Sequence, residues 1–134
     1  MDRHQPDSKA RKKLGDLGER LASEKLAAVG YKIIEANWRC RYGEFDLVAW
    51  QGKCLVFVEV RTRRGDQSGS PEESLTSRKL RTLHLLGDLY LQAHPELYDA
   101  HGEPPECRYD LVAVQFNRSG LLERLEVVEN ILEG

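Results

Sequence analysis

The chain has 134 residues, 40% hydrophobic and 31% charged, the balance of one ordinary globular domain over 1–134. No apolar run reaches bilayer length and no basic, apolar, small-residue leader opens the chain, so a cytoplasmic protein with no membrane partner is expected. A net charge of −2 excludes a globally basic nucleic-acid binder, but the cations are clustered: Arg11, Lys12 and Lys13, then Arg61, Arg63 and Arg64, then Arg78, Lys79 and Arg81. A phosphate backbone responds to local potential rather than to total charge, and solvated faces account for such clusters equally well.

Residues 1–8 are polar and are expected to fray. Leu14, Leu17, Leu21 and Ala28 recur at helical spacing, which predicts a helix from Ser8 to Val29. Asp7 or Ser8 is its cap, and Gly30 is its left-handed stop. Strands follow at Tyr31–Arg39, Glu44–Trp50 and Cys54–Thr62, the last two joined by a tight turn at Gln51-Gly52-Lys53. Arg63–Ser70 reads as a charged, mobile loop. A second helix is expected from Pro71 or Glu72 to Ala93, with Leu75, Leu83, Leu86, Tyr90 and Leu91 on its buried side. After a proline-rich loop, Arg108–Phe116 and Leu122–Val128 are the last strands, with a turn at Asn117–Gly120. The order, helix, three strands, helix, two strands, predicts an α/β domain with a mixed sheet and helices on its faces or edges.

The most informative stretch is Gly43-Glu44-Phe45-Asp46, the hairpin turn, and Phe57-Val58-Glu59-Val60-Arg61. It places carboxylates on neighbouring strands that otherwise read as core, which costs free energy unless something compensates them. A Gly52-Lys53 loop sets Asp46 opposite Glu59, whereas a Gln51-Gly52 loop sets Glu44 opposite Glu59. Alternation in either register puts Glu44, Asp46, Glu59 and Arg61 on one face, with Phe45, Leu47, Ala49, Val56, Val58 and Val60 on the other. Oxygen-only ligands suit Mg²⁺ or Mn²⁺ rather than zinc, and a metal so held polarises a phosphoryl oxygen and acidifies bound water. The competing reading is an ion-paired patch neutralised by Arg61, Arg41 or Arg39.

Asp46 followed by Glu59-Val60-Arg61 resembles the acid, then Glu-x-Lys signature of the PD-(D/E)XK nuclease superfamily. A wider set is similar to the YraN-like family of uncharacterised bacterial proteins. It comprises Gly18-Glu19, Asn37, Gly43-Glu44-Phe45-Asp46-Leu47-Val48, Phe57-Val58-Glu59-Val60, Lys79 and Arg108-Tyr109-Asp110-Leu111-Val112. The similarity spans Leu14 to Val114. It implies a restriction-endonuclease-like central mixed five-stranded sheet flanked by helices, like that of Holliday-junction resolvases. It also implies a metal-dependent endonuclease, a hydrolase of DNA more than RNA, acting on branched or damaged structures. Asp46, Glu59 and the Val60 carbonyl would ligate magnesium or manganese, and Glu19 would hold a metal-bound water. Glu44 would be a second acid or a solvent-facing neighbour. Arg61 stands where the superfamily carries lysine. It can stabilise charge and grip phosphate but cannot abstract a proton, and this motivates the alternative of a nucleic-acid-binding module with little cleavage. Lys79 is the candidate to supply an amine instead.

Trp38, flanked by Arg39 and Arg41, is the aromatic candidate for nucleic-acid contact, with Arg63, Arg64 and Arg78 as phosphate contacts. Trp50 is expected in the core. Arg108 and Asp110 form either a sheet-stabilising pair or an extension of the acidic cluster. Cys40, Cys54 and Cys107 match no zinc spacing and are read as free thiols. His84, His94 and His101 have no partner at ligand spacing. A homodimer is a possible assembly, as in resolvase-like folds.

Overall fold

The computed structural model describes residues 8–65 and 69–132. The proposed cap Asp7, most of the frayed N-terminus and the centre of the charged loop after β3 lie outside these residues. The elements are α1 (Ser8–Ala28), β1 (Lys32–Cys40), β2 (Gly43–Gln51), β3 (Cys54–Arg64), a 3₁₀ turn (Glu72–Ser74), α2 (Ser77–Ala93), a second 3₁₀ turn (Pro95–Leu97), β4 (Glu106–Phe116) and β5 (Leu122–Val128).

Helix α1 stops where Gly30 adopts φ 99°. Gly30 N–H donates to Ala27 C=O at 3.2 Å and Tyr31 N–H to Leu26 C=O at 2.9 Å, and Tyr31 and Leu26 share one core cluster. These bonds and that contact make up a Schellman stop. Gly18, Ala22 and Leu26 are buried on α1, whereas Ala28, expected inward, is exposed on the last turn.

The second helix begins later than expected. Ser70 and Glu73 cap each other reciprocally, Ser70 N–H to Glu73 Oε1 at 2.6 Å and Glu73 N–H to Ser70 Oγ at 3.2 Å. This capping box starts only the single turn after Pro71. Leu75 is then extended (φ −89°, ψ 103°), so it belongs to neither helix. Thr76 accepts from Lys79 N–H and caps α2. Two N-cap signals six residues apart make two starts. Arg124 on β5 holds the first of them through both oxygens of Glu72, at 2.8 and 2.6 Å.

The five strands form one mixed sheet in the order β1-β2-β3-β4-β5. β3 and β4 are parallel and all other neighbours antiparallel. A parallel pair needs a long crossover, and α2 lies within the connection that makes it. The fold is thus α/β in the order α-β-β-β-α-β-β, compatible with a restriction-endonuclease-like sheet. α1 packs over Leu47, Ala49, Val56, Val58, Val112 and Val114. α2 packs over Phe45, Val48, Leu55 and Phe57 through Leu83, Leu86 and Tyr90. The ladder between β3 and β4 runs to Arg64 opposite Phe116, so Arg63 and Arg64 stand on a strand rather than in the loop first assigned to them. Among the described residues no helix is long and apolar enough to cross a membrane.

Gln51 pairs with Cys54 and the ladder continues to Leu47 opposite Val58. This is the Gly52-Lys53 register, with Gly52 at φ 60°, and it brings Asp46 level with Glu59. The simple alternation fails one residue short of the site. Phe45 packs with Phe57 and α2, not with Leu47 and α1. β1 changes face at the same level: Ala36 pairs with Leu47 and Trp38 with Phe45, and Trp38 packs in the α2 cluster. Asn37 between them has φ 56°, a left-handed conformation that asparagine tolerates better than most residues. The expected single face for Glu44, Asp46, Glu59 and Arg61 is therefore corrected: with Phe45 turned to α2, Glu44 falls on the α1 side.

Candidate metal and phosphate site

The site forms where β2 parts from β3. Asp46 Oδ2 accepts from Val60 N–H at 2.7 Å, a bond that replaces a main-chain rung of the ladder. N–H and C=O of one strand residue point to the same neighbour, so the Val60 carbonyl leaves β3 toward Asp46 as well. Burial pushes the Asp46 carboxyl above its usual range and the Val60 N–H opposes that rise.

Glu59 is only 6% exposed, on a strand whose other buried residues are Leu55, Val56, Phe57 and Val58. Arg61 Nη2 lies 2.9 Å and Lys79 Nζ 3.6 Å from the same oxygen, Glu59 Oε2. Burial, then the neighbouring Asp46 charge, push the Glu59 carboxyl up to about 6 against the pull of these two cations. The two carboxylates thus oppose each other's ionisation, as neighbouring acids do.

Glu19 comes from α1 by way of Gly18. A Cβ at Gly18 would lie 2.1 Å from Thr62 Oγ1, so only glycine lets the helix rest on β3 here. The next residue then reaches the end of the strand. Glu19 lines a recess of about 250 Å³ with Gly15, Val60, Arg61, Thr62, Arg63 and Ser74. Burial raises its carboxyl first, followed by the charges of Asp46, Asp16 and Glu44. Four elements, α1, β2, β3 and α2, thus send side chains toward the point where β2 parts from β3, and the carboxyl groups of Glu19, Asp46 and Glu59 each sit above their ordinary range.

Residues 18–114 match a family described as Uncharacterised protein family UPF0102. The chain belongs to that family. A UPF0102 protein of Symbiobacterium thermophilum is 44% identical over 119 residues, 89% of this chain and 95% of that one. One from Pelotomaculum thermopropionicum is 44% identical over 121 residues, 90% and 96% of the two chains. One from Moorella thermoacetica is 40% identical over 119 residues, 89% and 94%. The matched span of this UPF0102 chain contains Glu19, Asp46, Glu59, Val60, Arg61 and Lys79.

The remaining predicted residues are spread around that point. Lys79, whose reach the sequence left open, does meet Glu59. Arg63 lines the recess, and Arg64 donates to Arg118 C=O at 2.9 Å. Arg78 is exposed at the start of α2. Arg39 pairs with Glu44 at 3.7 Å, and Arg41 lies over the Tyr42 ring at 5.2 Å. Trp38 stacks on Phe45 at 5.8 Å and meets Tyr90 edge-on at 5.2 Å, so much of its ring is engaged within the protein. Trp50 is half-buried against the α2 cluster. In this UPF0102 protein Gly15, Ser74 and the Gly18–Thr62 contact escaped sequence reasoning. The signal available was Gly18, a glycine inside a helical pattern; a Cβ at Gly15 would meet nothing within 4 Å, and no local pattern marks Ser74.

Among the described residues no three His, Cys, Asp or Glu side chains are grouped to hold a metal. A cation here would rest on Asp46, Glu59, the Val60 carbonyl and water. That donor set, hard oxygens with few carboxylates and several waters, is the one magnesium takes. The three cysteines are free.

Proposed function

We propose that this protein is a Mg²⁺- or Mn²⁺-dependent phosphodiesterase acting on DNA, with branched or damaged DNA as its substrate class. The observation that carries this reading is the meeting of Asp46, Val60 and Glu59 where two strands separate, with both carboxyl groups raised. A divalent ion bound there supplies charge to a phosphoryl oxygen and an acidified water. The chain's own residues do the rest. Glu19, which lines the recess, would accept a proton or a hydrogen bond from water positioned there. Arg61 and Arg63 line the same recess and favour a phosphate beside the carboxylates. Lys79 offers a further cation from α2. An arginine side chain cannot act as a base, so the part of Arg61 is electrostatic and the proton acceptor must be a carboxylate or solvent.

With Mn²⁺, the purified protein is expected to cut a panel of branched, flapped, nicked and single-stranded DNAs. Glu59→Gln and Asp46→Asn should each lose cutting by about a thousandfold, the several kcal/mol that metal stabilisation contributes, with circular dichroism unchanged. Cutting by Glu59→Gln at the wild-type rate would remove this site from consideration.

One observation favours a second reading, a nucleic-acid-binding module with little cleavage. Glu59 already has two cations on one oxygen, so the site is neutralised by the protein itself. That reading expects DNA affinity that falls steeply with salt, no cleavage with any divalent ion, and weaker binding in Arg63→Ala.

A further inference from the structure

Resting on the metal-site reading above, we infer that Arg61 is an internal counter-cation: it occupies Glu59 while the site is empty, must be displaced for a divalent ion to bind, and then turns to an anion in the adjoining recess. Arg61 follows Glu59 by two residues on β3, and its backbone is fixed opposite Ala113 of β4. Its guanidinium therefore cannot withdraw from the region; it can only swing.

Its present position is incompletely satisfied. Nη2 meets Glu59 at 2.9 Å, but Nε is buried and has no hydrogen-bond partner among the described residues. A buried donor left unmade costs free energy, and an arginine paired through both its Nε and an Nη avoids this. Arg108 does so in the same sheet, donating through Nε and Nη2 to the two oxygens of Asp110, both at 2.9 Å. Arg61 is held by one oxygen and leaves a donor waiting.

The space for a swing is present. Arg61 borders the 250 Å³ recess, which Arg63 also lines. Two arginines on one recess favour an anion with several acceptor oxygens, a phosphate group above all, because guanidinium forks match its geometry. A divalent ion at Glu59 and Asp46 would repel a guanidinium still bound to Glu59 Oε2. Metal and guanidinium therefore compete for one carboxylate, while metal and phosphate assist each other because phosphate draws the guanidinium away. Lys79 at 3.6 Å is the looser neighbour, and its ammonium on a flexible stem can retreat.

The test is Mn²⁺ binding to the full chain, read by electron paramagnetic resonance of the free ion and by calorimetry. Wild type, Arg61→Gln, Arg61→Lys and Asp46→Asn would be compared, with circular dichroism to confirm folding. Arg61→Gln should bind Mn²⁺ at least about tenfold more tightly than wild type, and Arg61→Lys should stay near wild type. Inorganic phosphate should tighten Mn²⁺ binding to wild type more than to Arg61→Gln. Equal or weaker Mn²⁺ binding by Arg61→Gln, where wild type binds and Asp46→Asn does not, overturns this inference and leaves the metal site standing. Absence of Mn²⁺ binding in every protein overturns both.

Discussion

Two buried carboxylates of the same sheet, Asp110 and Glu59, are treated in opposite ways. Asp110 is fully enclosed and completely served. Tyr31 Oη donates to it at 2.7 Å, Arg108 donates twice at 2.9 Å, and Asn130 N–H at 3.1 Å. Arg108 in turn reaches Gln51 and the Tyr31 oxygen. Asn130 itself adopts φ 59°. Glu59 has two cations on one oxygen, an acidic neighbour, and an arginine with an unmade bond. A buried network that is fully satisfied specifies and stabilises a fold. One left unfinished, with like charges crowded together, is a candidate functional site. Asp110 is therefore the sheet-stabilising member of a pair, not an extension of the acidic cluster, and the difference between the two sites is the reason for placing function at Glu59.

The largest effect that could break this contrast is at Asp110. Asp110→Ala strands a half-buried guanidinium and a buried tyrosine hydroxyl, and removing one partner of such a pair costs about 3–5 kcal/mol. Urea unfolding at pH 7 should show a loss of that size, with no effect on Mn²⁺ binding once the protein is folded at low temperature. A loss below about 1 kcal/mol would mean that the network contributes little and that satisfaction of hydrogen bonds does not separate the two sites.

Much of this was legible in the sequence, for identifiable reasons. Strict alternation marked Leu47, Ala49, Val56 and Val58 as core, and the Gly52-Lys53 turn set the register that brings Asp46 to Glu59. Gly30 marked the end of α1. What failed depended on events between elements. The exchange of faces at Asn37 and Asp46 is a paired distortion of two strands, visible in neither alone. The broken start of α2 follows from a capping box and a second cap competing over six residues, where a hydrophobic period sees one helix. The reach of Lys79 to Glu59 depends on how α2 docks over Phe57, which no local pattern encodes. Gly18 was noticed only as part of a motif; its use, the contact with Thr62, is a property of the assembled core.

A middle-sized effect sharpens the comparison through pH. The Glu59 carboxyl is raised from 4.5 to about 6 in the folded protein. The folded state therefore holds a proton that the unfolded state has released between those values, and stability falls as pH rises through that window. A shift of this size corresponds to about 2 kcal/mol. Glu59→Gln should remove that slope: its stability relative to wild type should rise by up to about 2 kcal/mol between pH 4.5 and pH 7, read as the difference between paired urea melts. A site that gains stability when its acid is neutralised is held at a cost, which is how binding sites differ from structural pairs. A constant difference across this range would show that Arg61 and Lys79 compensate Glu59 fully.

The smallest effect isolates the second cation. Lys79 Nζ stands 3.6 Å from Glu59 Oε2 with a half-buried side chain, and its charge lowers the Glu59 carboxyl. Lys79→Met keeps an apolar stem of similar length and removes only the charge. Two consequences oppose each other. The ionised Glu59 loses a favourable neighbour, and the helix loses the entropy cost of holding a long cationic side chain in place. The change in stability at pH 7 should therefore stay within about 1 kcal/mol, too little to distinguish models by unfolding alone. The titration is the better measurement. The Glu59 carboxyl, followed by NMR of its side-chain carbon, should move further above 6 in Lys79→Met, while the Asp110 network, remote from Lys79, should not respond. If Glu59 does not move, Arg61 alone carries its compensation, and the competition between that guanidinium and an incoming metal becomes sharper rather than weaker.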